Sequence, residues 1–511
     1  MNRAERSGKV RAIPHLLVAG YALIVLSWIF SIPPDTAPDE RFHYLKAVAA
    51  GRGQIFLKDP PPAAGPPPAT QDLRWLRIQT RLVRIPERYD PAAFDCYEGR
   101  LYPKQCPGKS PDSDKAKELG TYVGRYPPYS YVIPGYLSRL GASAESALLL
   151  GRVGIGLVSL VFVAAAVYAA WDPGRAWSIT GVMLAVTPMT AYGMATMSSS
   201  GPETSAAICF MACLLRVASE RPVRRFIWPA LTISAAALAL TRDLGFMWVA
   251  AGLAMVALWA GRSRVVQIVK ESKRQSAMFL AAVVSAAIAA VAWQLTQQTR
   301  PELAAGALAR ALRAAPPVLT ALYMQVIGNF GALDVPLPRI AYAAWTLALA
   351  ALIFLALAGR GPARRRLTLL LAGAGIAVFA VGLEAVMRSI AFGAQGRHLL
   401  PLAVFLPLLA GETAHAQERK QPVAGLLPGL IAFVSAGCIG LGWLAVARRY
   451  TSRDGGPFAF LDGRYWAPPA GWGIWAVMAA AGVALIVVAG GMLLRKALRP
   501  LKEPAQASPE A

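Results

Sequence analysis

The chain has 511 residues, of which 56% are hydrophobic and only 16% charged, and its mean hydropathy is +0.44. A soluble protein of this length exposes far more charge, which excludes the ordinary globular classes. The formal net charge of +24 does not indicate a nucleic-acid partner. In a membrane protein Lys and Arg hold loops in the cytoplasm and meet anionic lipids, and no basic patch interleaved with aromatic residues occurs here.

Apolar runs long enough to cross a bilayer recur along the whole chain. They cover residues 14–32, 149–171, 176–197, 203–219, 226–241, 243–260, 277–297, 338–358, 367–387, 397–411, 424–446 and 472–494. The fifth and tenth are short, so the pattern reads as about 12 spans within a range of 11 to 13. The expected fold is an all-α polytopic membrane protein with a large extracytoplasmic first loop. Pro33-Pro34-Asp35, not a small-x-small cleavage site, follows the first run, so that run is expected to stay as an anchor.

Basic clusters set the orientation. Arg3, Arg6, Lys9 and Arg11 precede the first run, and Arg221, Arg224 and Arg225 separate the fourth from the fifth. Arg262, Arg264, Lys270, Lys273 and Arg274 follow the sixth, Arg364 to Arg366 the eighth, and Arg495, Lys496, Arg499 and Lys502 the last. Twelve alternating spans put all of them on one side, which is then the cytoplasm, with both termini there and the protein expected in a plasma (inner) membrane. Arg448, Arg449 and Arg453 fall on the other side, where they are available to an anionic ligand.

The chain therefore divides into residues 1–32 (N-terminus and first helix), 33–148 (extracytoplasmic loop), 149–494 (the bundle, with outside loops near 298–337 and 448–471) and the tail 495–511. The large loop begins with Pro-rich coil. A helix is expected from Asp72 to Arg84, on which Arg74, Arg77, Arg81 and Arg84 form a basic stripe. That pattern reads as a helix on the membrane surface, attracting anionic lipids generally or a specific donor. Cys96 and Cys106 lie where oxidation is permitted, and a disulfide between them is expected. Cys209, Cys213 and Cys438 fall in spans and read as packing residues.

The strongest local signal is Pro38-Asp39-Glu40-Arg41-Phe42-His43-Tyr44, directly after the first run. On a helix Asp39 and His43 share a face, and two acids with a histidine at a membrane–water boundary suit general-base work or a divalent cation. The competing reading is a capping box over Thr36 to Asp39. Glu203, in the next outside turn, is a second candidate acid or a simple N-terminal helix charge. Arg242 and Asp243 form another outside turn and can pair with each other. Arg397, beside His398, suits a lipid phosphate because its fork binds phosphate bidentately; the alternative is interfacial snorkelling. Tyr126-Pro127-Pro128-Tyr129 closes the large loop and reads first as structural. P-loop, Rossmann and Ser-elbow motifs are missing from the sequence, which argues against nucleotide-driven pumping. No internal repeat is evident, which argues against repeat-built transporters.

Taken in order, the outside motifs resemble a bacterial membrane protein family, domain of unknown function 2142, related to the GT-C glycosyltransferases. The resemblance rests on Pro38-Asp39-Glu40 with His43, Tyr126-Pro127-Pro128 and Ser199-Ser200-Gly201-Pro202-Glu203. It continues through Gly328-Asn329-Phe330-Gly331-Ala332-Leu333-Asp334 and Gln395-Gly396-Arg397-His398-Leu399-Leu400-Pro401. The chain departs from the family pattern at Gly201-Pro202-Glu203, where Asn-Pro-Asp is usual, at Ala332 (usually aromatic) and at His398 (usually Tyr).

The resemblance implies an extracytoplasmic, inverting hexosyl- or pentosyltransferase. It would move a sugar from a polyprenyl-phosphate donor to a glycan or lipid acceptor of the cell envelope. Asp39 and Glu40 would be catalytic. His43, Tyr126, Glu203, Arg242, Asn329, Asp334, Arg397 and His398 would bind substrate. The resemblance does not fix a cofactor; Mg2+ or Mn2+ is an open question. Membrane lipids are expected partners and nucleic acid is not. The rival readings are a transporter or flippase of lipid-linked sugars and a non-enzymatic envelope assembly protein.

Overall fold

The computed structural model describes residues 11–61, 70–97, 112–173, 176–297, 304–415, 424–451, 458–462 and 466–502. The chain opens with α1 (Ile13–Ser31), α2 (Glu40–Gly51) and α3 (Gln71–Gln79). The antiparallel pair β1 (Arg81–Pro86) and β2 (Ala116–Thr121) leads to α4 (Val132–Ser138). Next come α5 (Ala144–Ala170), α6 (Trp177–Ala185), α7 (Pro188–Gly193), α8 (Ser200–Ala218), α9 (Ile227–Thr241) and α10 (Gly245–Ala260). They are followed by α11 (Arg262–Glu271), α12 (Lys273–Gln297), α13 (Ala307–Arg313) and α14 (Ala315–Gly328). A two-residue hairpin, β3 (Asn329–Phe330) with β4 (Val335–Pro336), precedes α15 (Arg339–Ala358) and α16 (Ala363–Ser389). The chain closes with α17 (Gly396–Ala403), α18 (Phe405–His415), α19 (Leu427–Thr451) and α20 (Trp472–Lys502).

Among the described residues 8 helices are long and apolar enough to cross a membrane, or 9 if the bent pair α10–α11 is one span. A helix satisfies its backbone groups internally, which hydrocarbon demands. The first and last helices lie together because both carry glycine at the crossing. A Cβ at Gly20 would stand 2.8 Å from the Gly482 carbonyl oxygen, so only close backbone packing fits. At Gly261, whose φ is +80°, the chain turns 107° into α11. That basic helix buries none of its residues.

Two apolar runs are broken. The run at 176–197 stops at Ala185, and Thr187 then caps α7 by accepting the Thr190 N–H at 3.0 Å, with Pro188 in the first helical position. The run at 397–411 divides into α17 and α18 behind Pro401. The stretch 298–337, expected as an outside loop, contains α13 and α14. Ala307 and Ala311 pack on Val381 and Ala385, and Leu322 on Ala380 and Leu399, so these helices pack beside α16.

The expected helix from Asp72 to Arg84 ends at Gln79, and the basic stripe with it. From Arg81 the sequence alternates, and the strand buries Val83 and Ile85. Arg74 and Arg77 stay on α3, whereas Arg81 is buried on β1 and pairs with Asp59 at 2.8 Å. Cys106 and the side chain of Cys96 lie outside the described residues, and the expected disulfide with them.

Candidate functional site

The site forms where α1 ends. Pro33 and Pro34 break the helix, Thr36 Oγ1 donates to the Pro33 carbonyl at 2.9 Å, and Asp39 begins α2 with φ +61°. Aspartate tolerates this left-handed backbone better than most residues. The consequence is directional: the Asp39 carboxylate makes no cap to its own helix. The Tyr122 hydroxyl donates to Oδ1 at 2.6 Å, and the Arg397 guanidinium forms an ion pair with Oδ2. Arg397 also donates to the Pro38 carbonyl at 3.2 Å. The capping-box reading of Asp39 is therefore replaced by a long-range ion pair. Burial pushes the Asp39 carboxyl up, but Arg397 and Tyr122 pull it well below the ordinary carboxylate range.

Glu40, the other acid expected to be catalytic, lies in the interior. It is fully buried against Arg152, a fully buried arginine in α5. Arg152 donates to it from Nε at 2.8 Å and Nη2 at 2.6 Å, and the Met197 and Asp35 N–H groups add bonds of 2.9 and 3.1 Å. Arg152 also reaches the carbonyls of Ile29, Ile32 and Pro33 at 3.2, 2.6 and 3.0 Å. This network pins the end of α1 to α2 and α5, and so positions Asp39.

His43 lies one turn further along α2, buried, with Nδ1 2.7 Å from the Tyr131 hydroxyl and its ring stacked on that of Tyr131 at 5.8 Å. Burial first and the nearby Arg242 guanidinium second push its pKa down to about 3, so it is neutral at physiological pH. Arg242 reaches beyond its sequence neighbour Asp243. It donates to Ser199 Oγ at 2.8 Å and Ser200 Oγ at 3.0 Å, stands 3.4 Å from Glu203 Oε2, and lies over the Tyr126 ring at 5.5 Å. Glu203, buried at the start of α8, accepts from Trp248 Nε1 at 3.1 Å. The expected residues Asp39, His43, Tyr126, Glu203, Arg242, Arg397 and His398 thus gather at one end of the bundle.

Asn329 and Asp334 do not join them. Asn329 donates to the Leu333 carbonyl inside the β3–β4 hairpin at 2.8 Å, and Asp334 accepts from Arg449 at 2.7 Å. Tyr122, Tyr131 and Arg152 are hydrogen-bond partners of the candidate residues that were not singled out from the sequence. Arg152 had a signal: a lone arginine inside an apolar run demands a buried partner.

Three buried polar atoms at the α17 end of the site have no partner among the described residues: Arg397 Nε, His398 Nδ1 and Gln395 Oε1. Such atoms are ordinarily satisfied by ligand, ion or water. Leu399, two residues beyond Arg397, lines an apolar cavity of about 300 Å³ with Leu184, Leu319, Leu322, Tyr323 and Ile376. Among the described residues no group of three or more His, Cys, Asp or Glu side chains is arranged to hold a metal ion.

Fold and site define a multi-pass α-helical integral membrane protein with a buried charged site at one end of its bundle. The chain belongs to the family described as predicted membrane protein (DUF2142), which matches residues 22–406 and so takes in both Asp39 and Arg397. No curated protein matches it. Among solved structures it is similar to ArnT from Cupriavidus metallidurans. The apo form is 16% identical with TM-score 0.34, covering 73% of this chain and 67% of that one. The form bound to undecaprenyl phosphate is 15% identical with TM-score 0.35, covering 91% and 80%.

Proposed function

We propose that the protein is an extracytoplasmic glycosyltransferase that moves a sugar from a polyprenyl-phosphate donor to a cell-envelope acceptor with inversion. The observation that carries this reading is the Asp39–Arg397 pair. An acid and a guanidinium 358 residues apart in sequence meet, the guanidinium keeps an unpartnered Nε, and Leu399, two residues beyond Arg397, lines an apolar cavity. An isoprenoid chain suits the cavity, and a phosphate suits the arginine fork.

In the reaction the acceptor hydroxyl oxygen attacks the anomeric carbon. Its proton passes to Asp39, the bond from the anomeric carbon to the phosphate oxygen breaks, and polyprenyl phosphate leaves with that electron pair. Arg397 stabilises the charge developing on the leaving phosphate. His43, held neutral and fixed by Tyr131, orients a hydroxyl of the sugar or acceptor. Glu40 serves the site by holding α2 in place.

The test is release of polyprenyl phosphate by purified protein supplied with polyprenyl-phosphate sugars and envelope acceptors. Asp39→Asn is expected to slow release by 10²–10⁴-fold, the range for losing a general base, and Arg397→Gln by a comparable factor. Full activity in both variants would remove the pair from the chemistry.

A further inference from the structure

We propose that Asp39 is held inactive in the ligand-free protein and is released by the donor itself: the donor phosphate takes the Arg397 guanidinium from the Asp39 carboxylate, and Tyr122 then steadies the freed acid beside the acceptor. This inference rests on the transferase reading above and adds the order of events at the same site.

The argument starts from the edges of the guanidinium. Arg397 is 9% exposed. Its Nη1 is used by the Pro38 carbonyl at 3.2 Å, its Nη2 by Asp39 Oδ2, and its Nε has no partner. A phosphate bound bidentately along the Nε–Nη2 edge therefore contends with Asp39 for Nη2. The unpartnered Nε marks that edge as the one with a donor to spare.

Asp39 as it stands is a poor base. One oxygen accepts from Tyr122 at 2.6 Å and the other is paired with Arg397. Once phosphate neutralises Arg397, the acid loses its stabilising cation and gains an anion nearby, and both changes favour the protonated form. The other groups facing Asp39 are Tyr122, Tyr126, His43, Arg242 and His398. Arg242 is already engaged by Glu203 at 3.4 Å, and His43 is buried and stacked on Tyr131. The ring of Tyr122 is fixed against Phe42 at 3.9 Å, so its hydroxyl remains to hold the released carboxylate. Tyr122 is thus a positioning residue. The atom balance is that of the transfer already described: the proton leaving the acceptor hydroxyl is the one Asp39 receives, and no co-reactant is needed.

The experiment uses the full chain in neutral-lipid nanodiscs and a methyl farnesyl phosphodiester, whose single charge does not change between about pH 4 and 8. Calorimetry in two buffers of different ionisation enthalpy counts protons taken up on binding. The expected result is uptake on the order of half a proton per ligand at pH 5, none at pH 8, and none at either pH in Asp39→Asn. Tyr122→Phe removes a hydrogen bond to the charged form and is expected to shift the uptake about one pH unit higher. Binding without Asp39-dependent uptake overturns the proposed release and leaves the transferase reading standing. Absence of any binding to the wild type sinks that reading and the inference with it.

Discussion

Replacing Glu40 by Gln separates the two adjacent acids of the Pro38-Asp39-Glu40 motif. Glu40 accepts four hydrogen bonds, two of them from the fully buried Arg152. The amide places an NH2 group among those donors and leaves the arginine charge without its counter-ion. Breaking a buried pair in this way costs about 3–5 kcal/mol, against a total stability on the order of 5–15 kcal/mol. The apparent melting temperature of the purified protein in detergent is expected to fall by roughly 5–15 °C, with a matching loss of yield. Asp39→Asn, at a carboxylate that is 30% exposed and not fully buried, is expected to lose less stability than Glu40→Gln. Arg152→Met is expected to behave like Glu40→Gln, and the double variant to recover only part of the loss, because the Ile29, Ile32 and Pro33 carbonyls still lack their donor. A Glu40→Gln protein that melts with the wild type while Asp39→Asn collapses would refute the division of roles.

Three further outcomes follow from the same contacts. Because His43 has its pKa pushed down to about 3 in the fold, the unfolded chain binds more protons between pH 3 and 6.5. Stability tied to it is therefore complete above pH 6.5 and lost on acidification, by about 2 kcal/mol at pH 5; melting curves of His43→Gln should show a flatter pH dependence. Lys46 is fully buried, donates to the Gly124 carbonyl at 2.8 Å, and has its pKa pushed down to about 7 by burial. The unfolded chain again binds more protons, now between pH 7 and 10.5, so the wild type should gain about 2–3 kcal/mol from pH 7 to 9 and Lys46→Met should not. Asp334→Asn breaks a largely exposed bridge to Arg449 and is expected to cost less than about 1 kcal/mol and to leave turnover within a factor of two.

Much of this was readable in the sequence because it is local. Apolar runs and the residues at their ends placed Asp39, Glu203, Arg242 and Arg397 at helix ends on one side. What could not be read was which acid meets which base. Asp39 and Glu40 are neighbours, yet the left-handed backbone at Asp39 sends its carboxylate to Arg397 while Glu40 turns into the core toward Arg152. Tyr122 and Tyr131 meet their partners across 83 and 88 residues, and nothing local marks them. The basic stripe failed for another reason: a three- and four-residue spacing of arginines is also compatible with a helix that stops at Gln79 and a strand that starts at Arg81.

The central claim is that Asp39 and Arg397 make and break a glycosidic bond rather than escort a lipid. Proteoliposomes loaded with a polyprenyl-phosphate donor carrying a labelled sugar test it most directly. The account predicts that label moves from the lipid fraction to the acceptor, and that Asp39→Asn stops the movement while the protein stays folded. Label that merely changes leaflet with its lipid intact, at equal rates in wild type and variant, would contradict it.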